Sequence, residues 1–359
     1  MRDMGRIGLV APLPPQIGGV ASFAEWLLAH EKEIGARYET FDLWRPPEGG
    51  VGGRFTLRAA LRQARLLVRF RRWLPDAPRI VHYCVSGTVT GLLRDVLFLV
   101  LLARRGSRTV AHVQVVPERG FARRLVRVVD RFVACWVGIA PASERLLAEV
   151  GISSTWIANP VRVQPNGKVE ASADGPLRLL FVGRYGERKG CPELVAALSR
   201  ARASGIDATL RFVGREEHEG EELLLRREVE AQRVAGQVEF AGVAPPARLA
   251  EHYSTADVIC LPSRREGMPL ALLEGMAFGL PALATPVGGI ADFVVSGENG
   301  LLVEPGDVEG LADCIRRLAS DAGLRRRLGE AARSRVEATA GDEELVRRWQ
   351  QVYREARAS

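Results

Sequence analysis

The chain has 359 residues, 47% of them apolar and 26% charged, with a formal net charge of +7. That is the make-up of an ordinary soluble globular protein, long enough for two domains that each bury a core. The start "MRDMGRIGLVAPLPP" is no secretory signal, and the run "VLFLVLLA" is far short of the roughly 18 residues a membrane helix needs.

In chain order, "RIGLVAP" is a short apolar strand followed by a Pro/Gly loop. "VASFAEWLLAHEKEI" then has helical spacing, and "RFTLRAALRQARLLVRFRRW" (54–73) is a second helix. "RIVHYCV" and "RTVAHVQVV" read as strands flanking the helix "TGLLRDVLFLVLLARRG", and "FVACWVGIA" and "STWIANP" complete the series. Around 159–176 the pattern dissolves into Pro, Asn, Gly and Ser, as an interdomain linker does. A second series follows with "LRLLFVGR", a helix, "ATLRFVG", another helix, "VEFAG", "VICLPS" and "PALATP"; "EELVRRWQQVYREARA" is the last helix. Strands alternating with helices predict parallel sheets covered on both faces. The expected fold is α/β, two Rossmann-like domains facing each other across a cleft. The first is expected over 1–160 and the second over 177–340, with 341–359 a helix crossing back to the first domain.

Charge divides along the same line. Up to Val161 there are 23 Lys/Arg against 13 Asp/Glu, and beyond it 27 against 30. An anionic partner is thus expected for the first half alone. The five cysteines are scattered without a CxxC pair and read as buried thiols of a reducing cytoplasm.

Chemistry is sought in loops beyond the strand ends. "FVGRYGERKG" (181–190) sets Arg184 and Lys189 among three glycines between a strand and a helix start. Backbone N–H groups and a dipole of about +0.5 charge favour anions there, and two cations suit a diphosphate. Taken alone, two solvated cations on a turn would look the same. Gly18 and Gly19 occupy the first strand–helix loop, where backbone can approach a phosphate. "EGMPLALLEGMAFGLP" (266–281) holds two glutamates separated by seven residues, none of them polar. Pro269 fits a first helical turn, which leaves Glu266 in the loop and Glu274 roughly 7.5 Å along the axis at ~1.5 Å per residue. Both can face one elongated ligand, Glu274 toward ribose hydroxyls and Glu266 toward a donor sugar, with backbone N–H groups of Gly267 and Met268 between them.

The segment 262–307, "PSRREGMPLALLEGMAFGLPALATPVGGIADFVVSGENGLLVEPGD", resembles the signature of retaining glycosyltransferases of family 4, which have the GT-B fold; Glu266 and Glu274 form its E-x7-E element. "GRYGERKG" is similar to that family's phosphate-binding loop, "IGGV" to its N-terminal glycine loop and "IANPV" to its linker asparagine. The resemblance implies that Arg184 and Lys189 bind the donor diphosphate and Glu274 the ribose. Glu266 and the backbone of Gly267, Met268, Pro269 and Leu270 would hold the sugar and phosphates. It further implies that His112 is an active-site histidine. Gln114 and Asp292 depart from the family pattern, where a second His or small residue and a Glu are usual. The implied reaction is retaining transfer from a nucleoside-diphosphate sugar to a glycan or lipid-linked hydroxyl, in cell-surface polysaccharide or glycolipid assembly. No D-x-D triplet occurs, so no metal and no other cofactor is expected. A sugar-nucleotide epimerase of the same fold, a natural-product glycosyltransferase and a non-catalytic binding subunit are the rivals.

The helix at 54–73 aligns Arg54, Arg58, Arg62, Arg65, Arg69 and Arg72 as one stripe, with Leu57, Leu61, Ala64 and Val68 on another face. A second basic segment spans 119–131. Two readings fit: docking on an anionic membrane surface, peripheral to the inner face of the cell membrane, or a solvated outer helix. Nucleic acid is not expected, because no aromatic residues interleave with the arginines.

Overall fold

The structure, a computed structural model, describes residues 4–14, 19–43, 57–114, 121–161 and 175–358, with backbone alone for 57–60, 89 and 121–123. Gly18, Arg54 and most of the expected linker lie outside them. The chain divides into two compact units, Met1–Pro160 with Asp342–Ser359, and Val161–Gly341.

In the first unit the order is β1 (Gly5–Ala11), α1 (Gly19–Ala29), α2 (Glu31–Ile34), β2 (Ala36–Asp42), α3 (Leu57–Trp73), β3 (Ile80–Val85), α4 (Val89–Arg104) and β4 (Arg108–Val113). Then come α5 (Phe121–Asp130), β5 (Cys135–Gly138), α6 (Pro141–Ala148) and β6 (Ser154–Trp156). The second unit holds β7 (Leu177–Tyr185), α7 (Cys191–Ala203), β8 (Ala208–Glu216), α8 (Glu221–Ala231), β9 (Val238–Gly242), α9 (Pro246–Ser254) and β10 (Val258–Leu261). It continues with α10 (Leu270–Ala277), β11 (Ala282–Ala284), α11 (Ile290–Phe293), β12 (Gly300–Leu302), α12 (Val308–Ser320) and α13 (Ala322–Ala340). α14 (Asp342–Ala358) returns to the first unit.

Each sheet has six parallel strands, ordered β2-β1-β3-β4-β5-β6 and β12-β11-β10-β7-β8-β9. Read from β9, the second is the 3-2-1-4-5-6 order of a doubly wound sheet. Its switch point lies between β7 and β10, and the first sheet's lies between β1 and β3. Ligands of such sheets bind beyond the carboxyl ends of strands at those points.

The two faces of the first sheet follow from the period of two along a strand. Val81, Tyr83 and Val85 of β3 and Ala111 and Val113 of β4 bury against Leu66 and Phe70 of α3, Phe98 and Leu102 of α4 and Val126 and Val129 of α5. His82 and His112 point to the other face, where Phe23 of α1 and Trp349 of α14 cover them. α14 is further tied down by Trp26 Nε1 donating to Asp342 Oδ1 at 2.7 Å and by Tyr353 Oη lying 2.7 Å from His82 Nδ1.

Three details differ from the sequence expectation. The helix expected over 20–34 breaks at His30 into α1 and α2, and Gly35 closes α2 in the left-handed conformation, φ 75°. β2 was not anticipated: it is the edge strand, and its burial alternates where the inner strands are continuously apolar. On α3 the expected apolar face is not the buried one. Leu66 and Phe70 are buried, while Leu61 and Val68 are 52% and 50% exposed beside the arginines.

Candidate functional site

The switch-point loops of the second unit follow β7 and β10, and glycines bring them together. Gly190 opens α7 at φ 69°, and a Cβ there would stand 1.9 Å from the Pro262 carbonyl oxygen just past β10. Gly288, at φ 54°, lies as close to the backbone of Glu266: a Cβ there would meet its carbonyl oxygen at 1.8 Å. Gly289 N donates to Gly267 O at 2.9 Å, so the "PVGG" turn backs the "EGM" loop. Both glycines permit a contact and a φ that other residues rarely reach.

Charged groups lace the same loops. Lys189 Nζ forms an ion pair with Glu266 Oε2, both side chains being largely buried. Ser263 Oγ adds a 3.3 Å bond to the same oxygen. Arg188 reaches Glu217, one residue past β8, through bonds of 2.9 and 3.0 Å from Nε, and donates to the Arg265 carbonyl at 2.9 Å. The Arg188 carbonyl accepts from Arg264 N at 2.9 Å, and the Arg264 guanidinium pairs with Glu193 of α7. Glu217 raises the Arg188 pKa, while burial works against the Glu217 carboxylate and is outweighed by the bond and charge of Arg188, which hold it low.

α10 begins at the end of this loop. Pro269 is the residue just ahead of the helix rather than within its first turn, and Glu274 is the fifth helical residue. Leu272, Leu273 and Met276 are fully buried, and Gly275 lets α10 close on Ile259 of β10. Leu270 is half-buried, Met268 buried and Gly267 exposed. Glu274 Oε2 accepts a 2.8 Å hydrogen bond from the Tyr253 hydroxyl of α9. Burial first and the Glu274 charge second push the Tyr253 pKa well above its usual value, so it stays a donor.

Of the sequence-predicted residues, Lys189 and Glu266 are thus paired directly. Arg184 is exposed near the end of β7, in register with Arg215 of β8, so two cations stand side by side there. Gly19 is the first residue of α1, and Gly18 lies outside the described residues. Asp292 sits in α11, its carbonyl accepting from Arg335 at 3.0 Å.

His112 requires a correction. It is completely buried in the first unit, with ring centroids 4.4 Å from Phe23 and 5.3 Å from Trp349, and burial alone pushes its pKa down to about 3. It is a neutral interior group, not one open to a ligand. Two residues further, beyond the end of β4, Gln114 is half-buried and exchanges two amide hydrogen bonds with Asn159, at 2.9 and 2.7 Å. The sheet also assembles what spacing hid: His82, Cys84 and His112 share one face, their potential ligand atoms all within 4.8 Å of one another.

Sequence reasoning passed over Tyr253, Ser263, Arg188 with Glu217, and Arg264 with Glu193. Only Ser263, three residues before Glu266, is close in sequence to its partner. The others join residues 21 to 71 apart, and no local pattern announces such pairs.

Residues 164–335 match the model of glycosyl transferases group 1. Glycogen synthase of Mycobacterium tuberculosis is 32% identical over 309 residues, covering 84% of this chain and 73% of that enzyme. The chain belongs to the glycosyl transferases group 1 family. It is a glycosyltransferase of the hexosyltransferase type, with two Rossmann-like domains of the GT-B fold. A glycosyltransferase structure from Rickettsia africae superposes with a TM-score of 0.77 at 18% identity, covering 98% of each chain. The Anabaena protein HepE, solved with UDP, gives 0.74 at 16% identity over 99% of each chain. No helix among the described residues is long and apolar enough to cross a membrane.

Proposed function

We propose that this enzyme transfers a sugar from a nucleoside-diphosphate sugar to an acceptor hydroxyl, with retention of anomeric configuration and without a metal ion. The observation that carries the reading is the Lys189–Glu266 pair, set where the loops after β7 and β10 meet ahead of α10. This is the switch point of a doubly wound sheet, where phosphates and sugars are bound. The UDP held by HepE supports a nucleoside diphosphate as the leaving group.

In this reading the diphosphate competes with Glu266 for Lys189, and Arg184 adds a second cation. The glycosidic C1–O bond breaks and its electron pair goes to the phosphate oxygen, whose growing charge the two cations and the start of α10 stabilise. Loss of one such donor typically costs ~2.7–4 kcal/mol. Glu266, released from Lys189, turns to the sugar hydroxyls. Glu274, oriented by Tyr253, receives the ribose. The acceptor attacks on the face the leaving group departs from and gives its proton to the leaving phosphate. With cations in place of a metal, activity is expected to survive chelation. Buried and neutral, His112 is assigned no contact with substrate. Acceptors would be glycans or lipid-linked sugars of surface polysaccharide assembly on the cytoplasmic side.

The test is a panel of nucleotide sugars followed by diphosphate release with EDTA present, with NMR of the product's anomeric proton. An inverted product, or dependence on added metal, overturns the corresponding part of the proposal; no release from any donor overturns it entirely.

A further inference from the structure

The helical layer over one face of the first sheet carries a surface unlike the rest of the described chain. α3 contains no acidic residue, and α4 and α5 contain one each. Both acids are engaged inside the unit. Asp95 is fully buried and accepts from the Tyr83 hydroxyl and from Ser86 N, each at 2.7 Å, and pairs with Arg94. Asp130 accepts from the Trp136 indole at 2.8 Å. The charge this layer shows to solvent is therefore arginine, Arg65 and Arg72 on α3 and Arg124 and Arg127 on α5 among them.

Apolar side chains stand out between those arginines. Leu61 and Val68 are two turns apart on α3, Leu93 and Leu97 one turn apart on α4, and Val128 lies on α5; their exposures run from 43% to 52%. They are five of the nine large apolar side chains exposed among the described residues. The comparison with α8 is direct. Leu223 and Leu224 are also exposed there, but Glu221 and Glu222 precede them and Arg226 pairs with Glu222. Exposed leucines in a mixed-charge surface suit water, whereas leucines among arginines alone suit an interface that offers both anions and hydrocarbon.

We infer that the outer face of α3, α4 and α5 docks on an anionic lipid bilayer. Leu61, Val68, Leu93 and Leu97 enter the boundary between headgroups and acyl chains while the arginines take the lipid phosphates. Apolar insertion and cationic attraction are the two terms that hold an interfacial surface to a membrane. A soluble polyanion would use the arginines but leave the leucines in water. The inference rests on the proposed transfer only in placing the enzyme where a lipid-linked acceptor is found.

The experiment is flotation of the full chain with vesicles of phosphatidylcholine alone or with 30 mol% phosphatidylglycerol, at physiological and at high salt. Binding is expected only to the anionic vesicles and is expected to weaken with salt. Replacing Arg65, Arg72 and Arg124 by Gln together is expected to weaken binding on the order of a hundredfold, each arginine near the surface being worth roughly fivefold. Leu93→Ser with Leu97→Ser is expected to weaken it about tenfold or more at unchanged charge, whereas Leu223→Ser with Leu224→Ser leaves it unchanged. Tryptophan fluorescence establishes that the arginine and Leu93/Leu97 variants of the first unit are folded, and circular dichroism does so for the Leu223/Leu224 variant of the second. Equal binding to both vesicles, none to either, or affinity for a soluble polyanion that the leucine variants share undiminished would overturn the inference. Vesicle binding needs no donor, so a failed donor panel leaves this result standing, and the converse holds.

Discussion

The two sheets are built alike and treat their polar groups in opposite ways. In the second unit, charged side chains gather beyond the strand ends, where Lys189 pairs with Glu266, Arg188 with Glu217 and Arg264 with Glu193. In the first, the polar residues of the central strands turn inward. His82 and His112 sit under α1 and α14, and Asp95, in the second turn of α4, accepts from Ser86 N in the loop after β3. A charge at a strand end keeps water and an anionic ligand within reach, whereas a buried imidazole is held neutral by desolvation. One sheet thus pairs its charges beyond the strand ends, and the other packs its polar groups inside.

The sharpest way to break this comparison is at Lys189. Lys189→Ala removes the cation and leaves Glu266 without its ion-pair partner. The expected loss in kcat/KM is about 10²–10³-fold, the scale of one preorganised donor aimed at developing charge. Steady-state diphosphate release measures it, and a loss below threefold would mean that the pair is merely structural.

The next largest effect is on the first unit, which contains all six tryptophans, so that their fluorescence follows its unfolding alone. The His112 pKa is pushed from 6.5 to about 3 by burial, and His82 is lowered by burial and then by His112. A depressed histidine binds its proton in the unfolded chain first. Stability is therefore full above pH 6.5 and falls as pH drops, for His112 by about 1.4 kcal/mol per unit down to about pH 3, with His82 acting in the same direction. His112→Leu should remove about 2 kcal/mol of the decline between pH 6.5 and 5, read by denaturant titration at each pH. An unchanged slope would place the titration elsewhere.

How much of this was legible in the sequence follows from where each signal is stored. Continuous apolar runs such as "RIVHYCV" announced β3 because both of its faces are covered, whereas the alternating "ARYETFD" hid β2 at the sheet edge. Glu266 and Glu274 were visible because loop and helix start are contiguous. His112 was misplaced because a motif gives a position along the strand but not which helices cover that face. Leu66 and Phe70, rather than Leu61 and Val68, face the core of α3 because the stripe opposite a set of arginines is not fixed until neighbouring helices pack. Tyr253 gave no signal, since its bond to Glu274 spans 21 residues and two elements.

Tyr253→Phe sharpens the comparison at a smaller scale. It removes one hydroxyl donor from Glu274 while keeping the ring stacked on Phe278, whose centroid is 5.3 Å away. A hydrogen bond to a charged group is worth about 1.5–3 kcal/mol, so KM for the donor should rise roughly tenfold or more with little change in kcat. A fall in kcat at constant KM would move Glu274 from ribose binding to the chemical step.

The smallest effect belongs to pairs that serve neither purpose. Arg333 and Glu337 lie one turn apart on α13, their bond 2.8 Å long and the Glu337 side chain 47% exposed. Such helical pairs contribute about 0.3–0.5 kcal/mol, because water screens the attraction and two long side chains lose freedom. Arg333→Ala should leave diphosphate release unchanged and lower the stability of the second unit by no more than that, followed by circular dichroism after the tryptophan signal has reported the first. A larger loss would mean that the pair is coupled to the packing of α13 on α10. The contrast between charges that bind and charges that merely solvate the surface would then have to be redrawn within the second unit itself.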